Sequence, residues 1–266
     1  MMVRDAPILA AIAAAGAFVA LKKPLDPGLV LQVAYTLGIL NGVITLLSPS
    51  KAAQLYGVKS TPLNEMALER MGMITLSTHA MAFCLFKQGT SVNTAIGVCA
   101  SITTLVMLKS LLNEEPKKLG FAPAPHYGVF LIAAINAYTC LTESDYADMT
   151  IKLLVLRGFG HGVSMSFFPG AMAKSYAKMT ADASMVYCVK LLGVFALANG
   201  FFIAALHFDN LVNTAQKAYA WSWVPALVIG VIGHFLKDDT SKTGTRPWPK
   251  FAWMLLQVTM VATFLV

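Results

Sequence analysis

The sequence predicts an all-α polytopic membrane protein: two four-helix bundles repeated in parallel, eight spans in all, behind a short N-terminal apolar helix. Three observations lead there. Hydrophobic residues make up 57% of the chain and charged residues only 12%, about half the charged share of an ordinary soluble domain. Apolar stretches of spanning length, about 17–25 residues, follow one another along it. The chain also repeats itself. Leu37–Tyr56 lies over Arg157–Tyr176 at an offset of 120, which matches Gly38 with Gly158, Gly42 with Gly162, Val43 with Val163, Pro49 with Pro169 and Tyr56 with Tyr176. Repetition at a fixed offset sets the architecture before any residue is given a role.

Taken in order, residues 1–28 hold an apolar stretch at 6–21 that follows Arg4 and lies outside the repeat. It is short for a span, so a peripheral or re-entrant helix is expected, with a ninth span or a signal-type core as alternatives. The first repeat, 29–143, carries apolar segments at 29–47, 66–86, 92–112 and 124–142. The second, 147–266, carries them at 152–168, 186–206, 217–236 and 249–266. Stop chemistry marks the breaks: Ser48-Pro49, Lys87-Gln88-Gly89, Asn113-Glu114-Glu115-Pro116, Pro169-Gly170 and Lys237-Asp238-Asp239. Leu112-Asn113-Glu114-Glu115 answers Leu236-Lys237-Asp238-Asp239 at an offset of 124, which places the insertion between the second and third helices.

Charge sets the orientation. The loops after helices 1, 3, 5 and 7 hold eleven Lys and Arg residues, from Lys51 to Lys250, against five on the other face: Lys22, Lys23, Lys87, Lys152 and Lys217. The richer face is therefore cytosol-, matrix- or stroma-like. Four is an even number, so both repeats enter from the same side, unlike the inverted repeats of many transporters. The net charge of +7 is scattered over short loops and forms no aromatic-interleaved stripe, so no nucleic-acid partner is expected. Cys84, Cys99, Cys140 and Cys188 sit singly in apolar stretches, as buried small hydrophobes do, and no zinc or dithiol spacing is present.

Reading the repeats against each other singles out the polar groups at mid-membrane. Asn41 answers His161, and His79 answers Asn199, so each repeat has one Asn and one His exchanged between helices. A buried amide or imidazole needs a partner in hydrocarbon. The expected pairs are Asn41–His79 and His161–Asn199, either as interhelical ties of about 0.6–2 kcal/mol or as ligands for a pigment or haem or points on a transport path. Arg157 stands where the first repeat has Leu37, one turn before His161. It can snorkel to the interface, pair with Asp145, Asp148 or a lipid phosphate, or form an anion site with His161. Candidate binding residues are thus His79, His161, Asn41, Asn199 and Arg157, with packing or lipid contact as their bland reading and no metal site. Arg70 and Lys190 are expected to anchor helix ends near head groups.

The remaining histidines, His126, His207 and His234, fall near helix ends, an interfacial position from which a chlorophyll magnesium could be bound at a subunit boundary. Trp221, Trp223, Trp248 and Trp253 flank the last two helices, as belt residues do. Gly38-x-x-x-Gly42 and Gly158-x-x-x-Gly162 are small-residue faces for close helix approach. No Ser-His-Asp order, HExxH or paired intramembrane carboxylate appears, and the acids fall in loops or at helix ends, so neither an enzyme nor a proton-coupled carrier is expected.

The stretch Leu47–Phe86, with SPSKAAQLYGV and ERMGMITLSTHAMAFCLF, resembles a group of small uncharacterised four-helix membrane proteins. Pro49, Tyr56, Gly57, Arg70 and Gly72 carry the resemblance; in the second copy Gly57 becomes Ala177 and Arg70 becomes Lys190. It implies a tandem pair and no activity. The function expected is a non-catalytic accessory or scaffold subunit of a larger bioenergetic assembly, in a thylakoid or mitochondrial inner membrane. Its partners would be other integral membrane subunits and lipids, with bound lipid as the expected ligand and chlorophyll or another pigment as a further option. The alternative is a channel or carrier for a small solute or lipid between the repeats.

Overall fold

The computed structural model describes residues 26–177, 182–208, 214–232 and 247–265, and all of their regular structure is helical. The apolar segment at 6–21, the Lys237-Asp238-Asp239 break and His234 lie outside these residues. Eleven α-helices are described: α1 (Pro27–Leu47), α2 (Pro49–Tyr56), α3 (Pro62–Phe83), α4 (Val92–Leu112), α5 (Glu115–Lys118), α6 (Pro123–Leu141), α7 (Ala147–Phe167), α8 (Pro169–Ala177), α9 (Ala183–His207), α10 (Ala215–Val231) and α11 (Pro247–Leu265). A π-helical turn, Cys84–Gln88, extends α3. Three helices, α1, α4 and α9, are long and apolar enough to cross a membrane.

Helix starts follow local chemistry. Pro49, Pro62 and Pro123 open α2, α3 and α6, where a missing N–H costs nothing. Thr61, Ser91, Asp182 and Thr214 cap α3, α4, α9 and α10 by accepting a backbone N–H from Asn64, Thr94, Met185 and Lys217. Gly57 ends α2 at φ 70°, a left-handed cap that glycine adopts without strain. The helices begin up to five residues earlier than the apolar segments do, because hydropathy ignores the polar first turn that a cap supports.

Contacts come in matched sets. α1 packs along α3 and α7 along α9; α4 packs on α6 and α10 on α11; α3 meets α4 and α9 meets α10. α6 then packs on α7 and α11 on α1, while α3 and α9 meet at the centre. Glycines set the closest approaches. A Cβ on Gly42 would lie 2.6 Å from the Leu76 backbone nitrogen, and one on Gly162 would lie 2.7 Å from that of Leu197. Gly72 and Gly193 do the same against Leu46 and Ser166, each at 2.5 Å.

These contacts correct the alignment. Leu76 corresponds to Leu197, Gly72 to Gly193 and the cap Thr61 to Asp182, all at an offset of 121. One residue is therefore inserted ahead of α9, and only the remainder lies between the second and third helices, where the cap Ser91 corresponds to Thr214 at 123. The counterpart of His79 is thus Gly200, and that of Asn199 is Thr78. A one-residue shift turns a helix by about 100°, enough to move every assumed partner to another face.

The largest apolar cluster lies toward the C-terminal ends of α3 and α9. It joins Met81, Ile96, Ile151, Leu154, Phe202, Ile203, Tyr219 and Met260. Trp223 is buried in this cluster, and its ring faces Trp253, centroids 5.9 Å apart. Trp223 is a core residue and Trp253 packs half-buried against it, so neither stands in an exposed interfacial belt; Trp221, by contrast, is exposed.

Candidate functional site

A cavity of about 150 Å³ lies against the N-terminal halves of α3 and α9 and the C-terminal half of α7, with α4 and α6 contributing walls. Five methionines line it (Met66, Met73, Met107, Met165 and Met185) together with Leu, Val and Ile side chains. Thioethers on unbranched chains adapt their shape readily. Its polar groups are few: Arg70, His126, Arg157, His161 and Asn199. An apolar pocket with a few convergent polar groups is the usual form of a small-molecule site.

Three of the five candidate residues from the sequence, Arg157, His161 and Asn199, line this cavity. The other two do not. Asn41 accepts a hydrogen bond at 2.9 Å from the Tyr56 hydroxyl. His79 lies 2.5 Å from the Tyr219 hydroxyl through Nδ1, with Trp223 and Trp253 beside its ring. The expected Asn41–His79 and His161–Asn199 bonds are not formed. Instead the His161 Nδ1 lies 3.1 Å from the Arg157 carbonyl, and the Asn199 amide donates to Thr78 Oγ1 at 2.8 Å and to Cys99 Sγ at 3.6 Å. The neighbour of Asn199 across the α3–α9 contact is Thr78, 121 positions earlier, so an offset of 120 misassigned its partner.

The two guanidiniums differ. Arg70 is buried, donates to Ser110 and lies 3.3 Å from Glu115; beside it Glu69 is met by Lys109 at 2.9 Å. Arg70 therefore does not anchor a helix end among head groups, since α3 starts eight residues before it. Glu69 is likewise buried inside the helix, contrary to the expectation that acids stay at helix ends. Arg157 has no ion pair among the described residues, and its Nη1 is enclosed without a partner. Asp148, one of its expected partners, pairs instead with Lys152 at 2.6 Å and His207 at 3.0 Å.

Two lining side chains, Arg70 and His126, were expected only at the interface. His126, near the start of α6, lines the cavity because the α5 turn brings Phe121 and α6 back over α3. Thr78, the partner of Asn199 beside the cavity, was not singled out. Among the described residues no group of three His, Cys, Asp or Glu is placed to hold a metal ion. Comparison with protein-family models, with curated proteins and with solved structures finds no match.

Proposed function

We propose that the chain is an eight-span, non-catalytic membrane protein of two like-facing repeats that holds an apolar ligand in the cavity between them. It serves as an accessory component of a larger membrane assembly and not as a conduit. The matched helix contacts, the equivalent caps and the offsets of 120 to 124 support the repeat. On this arrangement the cavity lies toward the Lys- and Arg-rich face.

The observation that carries the reading is the cavity's composition and its closed end. Apolar walls with convergent polar groups suit a lipid-like molecule. Past Asn199 the chain packs into Phe202, Ile203 and Ala204, all buried against Ile151, Leu154 and Tyr219. A carrier or channel needs a path to both faces, and this plug argues against one. A docking role is favoured by the outer face of α1, where Leu29, Val33, Leu37, Leu40, Ile44 and Leu47 are all exposed and form one continuous apolar stripe along the helix.

Native mass spectrometry of the full chain, extracted in mild detergent, tests the ligand. A bound small molecule is expected on the unsubstituted chain and not on Ala196→Phe, which fills the cavity. No adduct on the unsubstituted chain, or the same adduct on both, would refute a ligand in this cavity.

A further inference from the structure

We infer that the cavity's ligand is an amphiphile with a single acidic head, seated on Arg157 and His161, with its tail running along the methionines toward the basic face. This rests on the reading of the cavity as a ligand seat and deepens it.

Enclosure is the first argument. Arg157 lies within the apolar segment at 152–168 and lines the cavity with His161 and Asn199, its Nη1 shut away from solvent. A cation so enclosed is costly unless an opposite charge or polar groups meet it. Among the described residues no carboxylate is within ion-pair distance, and Nη1 is enclosed without an acceptor. The other guanidinium lining the cavity, Arg70, is already met by Glu115. One uncompensated positive charge calls for one negative charge.

The second argument is the donor and acceptor pattern. His161 donates its Nδ1 proton to the Arg157 carbonyl, so the neutral ring keeps Nε2 as an acceptor. Arg157 offers only donors. A phosphate monoanion supplies both complements, an oxygen that accepts from the guanidinium and an O–H that donates to Nε2; a carboxylate supplies the charged acceptor alone. An alcohol or an ester cannot bring the charge. The walls supply the third argument, since Met66, Met73, Met165 and Met185 lead from Arg157 toward the starts of α3 and α9. They offer a tail adaptable apolar contact.

The test is equilibrium binding to the purified full chain in detergent, with palmitate, its methyl ester and hexadecyl phosphate as probes. The unsubstituted chain is expected to bind at least one of the two acids tighter than the ester by about tenfold or more, the scale of a charge-assisted bond. Arg157→Gln should bring acid and ester within roughly threefold of each other; Arg157→Lys should keep a preference for the acid, which also shows that the substituted seat still folds. Whichever acid binds tighter tells whether a fatty acid or a lipid phosphate is the source. Equal affinity for ester and acids on the unsubstituted chain, or undiminished preference in Arg157→Gln, overturns the acidic head while leaving an apolar ligand standing. Binding of none of the three overturns the ligand seat itself.

Discussion

At Gly38 the ring of His79 occupies the space that a methyl group would need, and at Gly162 the backbone of Leu197 does. Backbone cannot step aside as a side-chain tip can. Gly162→Ala is therefore expected to destabilise the protein by about 1–3 kcal/mol, the usual cost of overpacking. Gly160→Ala, two residues away with nothing within 4 Å of the added carbon, should be neutral. Thermal unfolding in detergent separates them, and equal losses at both sites would show that α7 does not approach α9 as described. Tyr219→Phe removes the hydroxyl that meets His79 and leaves an imidazole nitrogen without its partner in the core, at about 1–3 kcal/mol. If His79→Phe combined with Tyr219→Phe is no better than additive, the two groups are not a unit.

Asp148 gives a pH dependence at the same scale. It stands in the first turn of α7, ahead of the apolar segment at 152–168, and is fully exposed. The hydrogen bond from Lys152 holds its carboxyl below the usual range, helped by the charges of Lys152 and His207. Because folding lowers this pKa, its contribution is present above the ordinary carboxylate value and is lost as pH falls through the folded-state value. The gap in melting temperature between the unsubstituted chain and Asp148→Asn should therefore begin to narrow as pH falls below about 4. A gap that stays constant down to about pH 2.5 would contradict the linkage.

Between elements, the Thr78–Asn199 hydrogen bond joins α3 to α9 at the centre of the helix contacts. Bonds of this kind in membrane proteins are worth about 0.6 kcal/mol on average and no more than about 1.7. A double-mutant cycle with Thr78→Val and Asn199→Leu should return a coupling in that range, and zero coupling would remove the bond from the account. The same contact shows what could be read from residues alone. Hydropathy placed the helical segments well, because each is predominantly apolar and most are bounded by proline, glycine or charge. Pairing was not legible, since an insertion of one residue in a polar loop leaves no hydropathic trace yet rotates α9 against α7. Arg157, His161 and Asn199 were found because a charge or polar group stands out in an apolar helix. His126 was not, because its place depends on how α5 folds the chain back.

At the scale of the whole molecule, the proposed arrangement closes a ring: the last helix of each half packs on the first helix of the other, and α3 and α9 meet inside. The cavity lies beside the α3–α9 contact, which continues to the starts of both helices, where the Asn64 amide donates to Ser184 Oγ at 3.1 Å. An accessory role predicts that gentle solubilisation of the native membrane yields the chain in company with other membrane subunits; recovery of free monomer alone would count against it. The like-facing repeats are the claim on which cavity, orientation and residue equivalences all depend. Cysteine accessibility tests it most directly, using a membrane-impermeant maleimide on sealed vesicles of known sidedness. Lys51→Cys in α2 and Lys174→Cys in α8, both at exposed positions, should react from one and the same side, and Asp145→Cys between α6 and α7 from the other. Labelling of positions 51 and 174 from opposite sides would contradict it.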